Sequence, residues 1–169
     1  MPFEDFVRAR SAALFRTALL LTGRDRAEAE DLLQGALERA YRHWDRICRL
    51  GDPERYVRRI LANASTDRWR RLGRRPEHVL PADGSGPAAG DHAGDVADRD
   101  LLLRALAGLA PRQRAVLILR YYCDLPEAEV ADALGCSVGT VKSQASRGLT
   151  RLRQITQPVP AGRREGGRR

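Results

Sequence analysis

The sequence predicts an all-α chain of two small helical domains, residues 1–75 and 101–153. A flexible acidic linker over 76–100 joins them, and a disordered basic tail over 154–169 follows. Three observations predict this. Apolar residues recur at helical spacing in both halves, and no stretch shows convincing strand alternation. The stretch PEHVLPADGSGPAAGDHAGDVADRD is rich in Gly, Pro, Ala and Asp and has no apolar period, which is a linker's composition. Net charge changes at the same boundaries: +6 over 1–75, −5 over 76–100, +4 over 101–153 and +3 over 154–169.

The elements follow in order. The first helix runs from Phe3 to Leu21, carries Phe3, Phe6, Val7, Leu14, Ala18 and Leu21 at helical spacing, and stops at Gly23. The second starts near Asp25 and runs to about Trp44. At about 100° per residue, Ala29, Leu32, Leu33, Ala36, Leu37, Ala40 and Trp44 share one face. Asp52-Pro53 is a cap followed by proline at the first helical position. The third helix, which it opens, buries Tyr56, Val57, Ile60, Leu61 and Ala64. Beyond the linker, Leu101 to Leu109 is a short helix. Pro111 starts another, through Ala115, Val116, Leu119 and Tyr122, and Pro126 a third, through Val130, Ala131 and Leu134. Gly135 ends that helix and Ser137 can cap the last.

Composition narrows the function. Thirty basic against 22 acidic residues in 169 give a net charge of +8, which favours a polyanionic partner. No apolar run approaches the roughly 20 residues that span a bilayer, and the N-terminus is not a signal peptide, so a cytoplasmic protein without a membrane partner is expected. Cys48, Cys123 and Cys136 are widely spaced, and His43, His78 and His92 do not cluster with them, so no metal site is expected. No carboxylate cluster or nucleophile–base motif is present. Neither catalysis nor a cofactor is expected.

Two short helices joined by about three residues, the first a glycine, fit a helix-turn-helix. On its second helix Val138, Val141, Ala145, Leu149 and Leu152 form the inward stripe. The opposite face carries Gly139, Ser143, Ser146, Arg147 and Thr150, with Thr140 and Lys142 on its shoulders. Ser, Thr, Lys and Arg supply donors to phosphates and base edges, and Gly139 leaves room for close approach to DNA. The alternative is a solvated polar face on a structural helix. In the N-terminal half, Arg55, Arg58, Arg59, Trp69 and Arg70 lie away from the apolar stripe of their helix. An aromatic among arginines suits single-stranded nucleic acid, where bases stack on rings and cations hold phosphates. Against this stands a Trp that covers a helix end, among arginines that keep the unit soluble.

Together these segments resemble an extracytoplasmic-function sigma factor of the sigma-70 family. AEDLLQGALERAYRHWDRI is similar to the second helix of region 2, which docks on core RNA polymerase. DPERYVRRILANASTDRWRR is similar to the segment that melts and reads the −10 element. LAPRQRAVLILRYYCDLPEAEVADALGCSVGTVKSQASRGLTRLR is similar to region 4, which reads the −35 element. The resemblance covers residues 3–153 apart from the linker. It implies core polymerase (β′ clamp and β flap) and promoter DNA as partners, with an anti-sigma factor as a candidate third. It assigns polymerase binding to Asp31, Leu32, Gln34 and Glu38, −10 reading to Arg55, Arg58, Arg59, Asn63, Trp69 and Arg70, and −35 reading to Ser137, Gly139, Thr140, Lys142, Ser143, Ser146 and Arg147. Gly35, Gln144 and Asp67 depart from the common pattern. The strongest rival is a helix-turn-helix regulator that does not dock on polymerase. It would need a receiver or ligand domain, normally α/β, and residues 1–75 show no strand pattern.

Overall fold

The computed structural model of the protein describes residues 1–72 and 93–156. All regular structure among these residues is helical. Helix α1 spans Phe3–Leu21, α2 Arg26–Tyr41, α3 Trp44–Arg49 and α4 Pro53–Leu72. Then come α5, Ala93–Ala107, and α6, Pro111–Leu117, which continues into a π-helical turn over Ile118–Tyr122. Helices α7, Glu127–Leu134, and α8, Val138–Thr156, complete the chain.

The caps act as their residue types dictate. The Glu28 N–H donates to Asp25 Oδ1 (2.9 Å), the Arg55 N–H to Asp52 Oδ1 (2.9 Å) and the Thr140 N–H to Ser137 Oγ (3.1 Å). Helix α7 ends on Gly135 at φ +59°, a left-handed residue where any side chain is strained.

Three boundaries differ from expectation, one of them at the C-terminal end, where α8 runs to Thr156 and so into the stretch expected as a disordered tail from 154. The second helix stops at Tyr41, and Trp44 opens the separate short helix α3. The apolar period hid the break, because Trp44 still packs inward. Its ring lies 5.0 Å from Phe3 and 4.9 Å from Phe6, and its Nε1–H donates to the Met1 carbonyl (3.0 Å). Helix α5 begins at Ala93, inside the stretch read as linker. The remainder of that stretch, 76–92, and the tail from 157 lie outside the described residues.

Helices α1, α2 and α4 pack on one another, and α8 packs on α5, α6 and α7. The two groups meet directly, because α4 also packs against α6 and α7. One apolar cluster therefore runs from Phe6, Leu14 and Leu61 of the first group to Leu119, Val130 and Val141 of the second.

The α6–α8 contact depends on Gly148, which is buried. A Cβ there would lie 3.0 Å from Leu117 Cδ1 and 3.2 Å from its Cγ. Gly148→Val should therefore overpack this seam. Overpacking costs about 1–3 kcal/mol, and the melting temperature should fall by several degrees in thermal circular dichroism. An unchanged melting temperature would mean that the seam has slack.

Candidate functional site

The second helix of the helix-turn-helix, α8, buries Val141 completely and half-buries Ala145, Leu149 and Leu152 against α6 and α7. Val138, expected on the inward stripe, is instead 37% exposed at the helix start. Ser137, Gly139, Lys142, Ser143, Ser146 and Arg147 are exposed and Thr140 is partly so. This is the face that the sequence indicates.

Some of its polar groups are already engaged. Ser137 Oγ and Thr140 Oγ1 lie 2.9 Å apart, the Ser143 hydroxyl donates to the Thr140 carbonyl (3.0 Å), and Lys142 Nζ stands 3.8 Å from Glu127 Oε2. Nothing among the described residues pairs with Arg147. Around Gly139 the nearest atom to a built Cβ is Ser137 Oγ at 3.8 Å, so packing does not require glycine there. The space is open to an outside molecule.

On α2, Asp31, Gln34 and Glu38 are exposed, with a hydrogen bond from Gln34 Nε2 to Glu38 Oε1 (3.2 Å). Gln34 and Glu38 border a shallow groove lined also by Leu33, Leu37, Phe3, Glu4, Glu30 and Tyr41. Leu32 departs from its assignment. It is 7% exposed and sits in the core, so it supports this face from within and presents nothing to a partner.

Helix α4 gives the least expected result. Arg55, Arg58 and Arg59 lie on a common side of the helix, but that side is occupied. Arg55 makes a bidentate pair with Glu129 of α7, through Nε to Oε2 (2.7 Å) and Nη2 to Oε1 (2.6 Å). Arg59 pairs with Asp132, also of α7. Arg58 donates to Glu54 Oε1 (2.6 Å) and lies 5.9 Å from the centre of the Tyr122 ring. Asn63 is exposed. Trp69 and Arg70 belong to α4, but their side chains lie outside the described residues.

Sequence reasoning also missed Arg114. This α6 side chain is 3% exposed and reaches between the two helix groups. Its Nη1 donates to the Ala107 carbonyl (3.3 Å) and stands where a Cβ on Gly23 would be, 2.3 Å away. Burial pulls its pKa down, and the charge of Glu28 opposes that shift. Glu28 is itself buried, and burial pushes its carboxyl up against the pull of Arg68, which it meets at 3.0 Å. Arg24 adds a further tie, at 2.6 Å from Asp100 of α5, and this hydrogen bond holds the Asp100 carboxyl below its ordinary value. Asp100 is the last residue of the stretch read as linker. The only cue in the sequence was the acidic character of α7 and of that stretch.

No group of three or more His, Cys, Asp or Glu side chains among the described residues could hold a metal ion, and no helix among them is long and apolar enough to cross a membrane.

Comparison with known proteins follows the same division of the chain. The family model for sigma-70 region 2 matches residues 6–75, and that for sigma-70 region 4 matches residues 99–152. The RNA polymerase sigma-E factor of Streptomyces coelicolor is 43% identical over 158 residues, covering 91% of this chain and 85% of that protein. The ECF RNA polymerase sigma factor SigL of Mycobacterium tuberculosis is 36% identical over 153 residues, covering 88% and 85%. Among solved structures, the sigma factor RpoE of Bartonella quintana, in complex with the anti-sigma factor NepR, superposes with a TM-score of 0.71. It is 25% identical, and the match covers 90% of this chain and 95% of that one.

Proposed function

The chain belongs to the extracytoplasmic-function class of the sigma-70 family and is an RNA polymerase sigma factor; from that premise we propose how its surfaces divide the work of promoter-specific initiation. Helices α1–α4 form the domain that docks on the β′ clamp of core polymerase and takes the −10 element. Helices α5–α8 form the domain that meets the β flap and reads the −35 element in the major groove. The observation that carries this reading is the pair of region 2 and region 4 matches, in that order, on one chain. A helix-turn-helix regulator without polymerase docking has no use for region 2 over residues 6–75.

The residues then have the following roles. Asp31, Gln34 and Glu38 meet polymerase on the exposed face of α2, the last two at the rim of its groove. Arg55, Arg58, Arg59 and Asn63, with Trp69 and Arg70 further along α4, hold the −10 strand. Cations bind its phosphates and the indole offers a stacking surface to an unpaired base. Ser137, Thr140, Lys142, Ser143, Ser146 and Arg147 hold the −35 duplex by phosphate and base-edge contacts, with Gly139 admitting the backbone. The work is positional: binding and strand capture, with no covalent step assigned to this chain. An anti-sigma factor is a further partner on this reading, because the structurally similar RpoE is held by NepR.

In vitro transcription with core polymerase over a promoter library, with 5′ ends mapped, tests the function. Chain-dependent initiation at a shared −35/−10 pair is expected. A chain that binds DNA yet never redirects core polymerase would overturn the reading in favour of the regulator.

A further inference from the structure

Seven glycines have described surroundings, and the fold accounts for five of them. Gly23, Gly51 and Gly135 take positive φ, where a side chain is strained. A Cβ on Gly108 would meet Ile155 Cδ1 at 3.3 Å, and one on Gly148 would meet Leu117 Cδ1 at 3.0 Å. Gly35 and Gly139 remain. Both are helical, in α2 and α8. A Cβ on Gly139 would have Ser137 Oγ as its nearest neighbour at 3.8 Å, and one on Gly35 would have nothing within 4 Å. Glycine inside a helix gives up stability relative to alanine, because it loses more freedom on folding. The fold draws no packing or turn from either residue in return. Gly139 lies on the face assigned to the −35 duplex, and Gly35 lies on the face assigned to polymerase.

The position of Gly35 on α2 is specific. At about 100° per residue, Gln34, Glu38, Asp31 and Gly35 follow one another across about 100° of the helix surface. The groove lined by Leu33 and Leu37 lies beyond Gln34, and Gly35 forms the opposite edge of the face. On that edge, two turns earlier, Glu28 is buried and meets Arg68 of α4 at 3.0 Å. Gly35 itself is partly exposed. Along the axis it lies about 6 Å from Asp31 and about 4.5 Å from Glu38. Neither carboxylate is held in a salt bridge among the described residues, and Glu38 accepts only the Gln34 amide. The result is a patch of bare main chain beside two available carboxylates.

We infer that Gly35 is the point of closest approach between this chain and core polymerase: a seat for the partner's main chain, with Asp31 and Glu38 beside it for the partner's cations. This rests on the assignment of the exposed face of α2 to polymerase. Packed elements stand about 8–10 Å apart, depending on the side chains at the contact. Without a Cβ at the crossing, the partner comes nearer, and the two carboxylates reach cations that a wider spacing would leave to water. Gly35 is then a specificity determinant by shape. A side chain at this position holds the partner off and weakens the ion pairs beside it. The helix stability that the glycine gives up is offset in the complex.

The test uses the full chain with Gly35→Ala and, separately, Gly35→Leu. Thermal circular dichroism reads the melting temperature, and titration of labelled core polymerase reads the affinity. Alanine and leucine are better helix formers than glycine, and the space around the new Cβ is empty. Both variants should therefore melt about 2–4 °C above the wild type. Affinity for core polymerase should fall about fivefold or more with alanine, and further with leucine, as overpacking of a close contact requires. The opposite signs separate a partner contact from a structural role, under which melting temperature and affinity fall together. Wild-type affinity in both variants would overturn the inference, as would a lowered melting temperature in Gly35→Ala. The double variant Asp31→Arg with Gln34→Ala, titrated alongside, separates two failures. If it loses affinity while both Gly35 variants keep theirs, only the seat is wrong. If it too binds like the wild type, the docking face lies elsewhere and the seat falls with it.

Discussion

Arg147→Ala is expected to lower −35-dependent transcription by about 5- to 150-fold, the equivalent of the roughly 1–3 kcal/mol carried by a good base contact. Arg147 is exposed in the middle of α8, opposite the buried Val141 and beyond the turn capped by Ser137. No described residue competes for its guanidinium, and its removal takes nothing from the core. Lys142→Ala should act in the same direction with a smaller effect, because Lys142 already stands 3.8 Å from Glu127. The two kinds of contact separate experimentally. Loss of a base contact changes sequence preference at one position, whereas loss of a phosphate contact weakens all sites alike and flattens the salt dependence. Transcription from a −35 library by each variant makes the measurement. Unchanged output and preference in both would move the recognition surface off α8.

Asp31→Arg combined with Gln34→Ala should weaken binding to core polymerase by at least about tenfold, because a reversed charge in a complementary interface meets its like. Both residues are exposed on α2, and their only described tie is the hydrogen bond from Gln34 to Glu38. Far-ultraviolet circular dichroism should therefore match the wild type. Titration of labelled core polymerase reads the affinity. Wild-type affinity in the double variant would relocate the docking face. Leu32→Ala is a poor substitute for this test, because Leu32 lies in the core and its truncation would destabilise the fold itself.

What the sequence revealed depended on how local the signal was. The bounds of α1, the start of α2 near Asp25, the caps at Asp52 and Ser137, and the turn at Gly135 each rest on residues a few positions apart, and all are where the pattern put them. The break between α2 and α3 was invisible because Trp44 faces inward on either side of it. The outward faces of α2 and α8 followed from periodicity, and the burial of Leu32 follows from the same stripe once the motif is set aside. The α4–α7 contact had no such signal. It pairs Arg55 with Glu129 and Arg59 with Asp132. Residues so far apart in the chain leave no period, and an exposed arginine is written the same way whether it awaits DNA or holds a carboxylate.

The apolar cluster that runs from Phe6 to Val141 also governs how the molecule melts. Helices that share one core unfold together, so the chain behaves as a single cooperative unit with one heat-absorption peak.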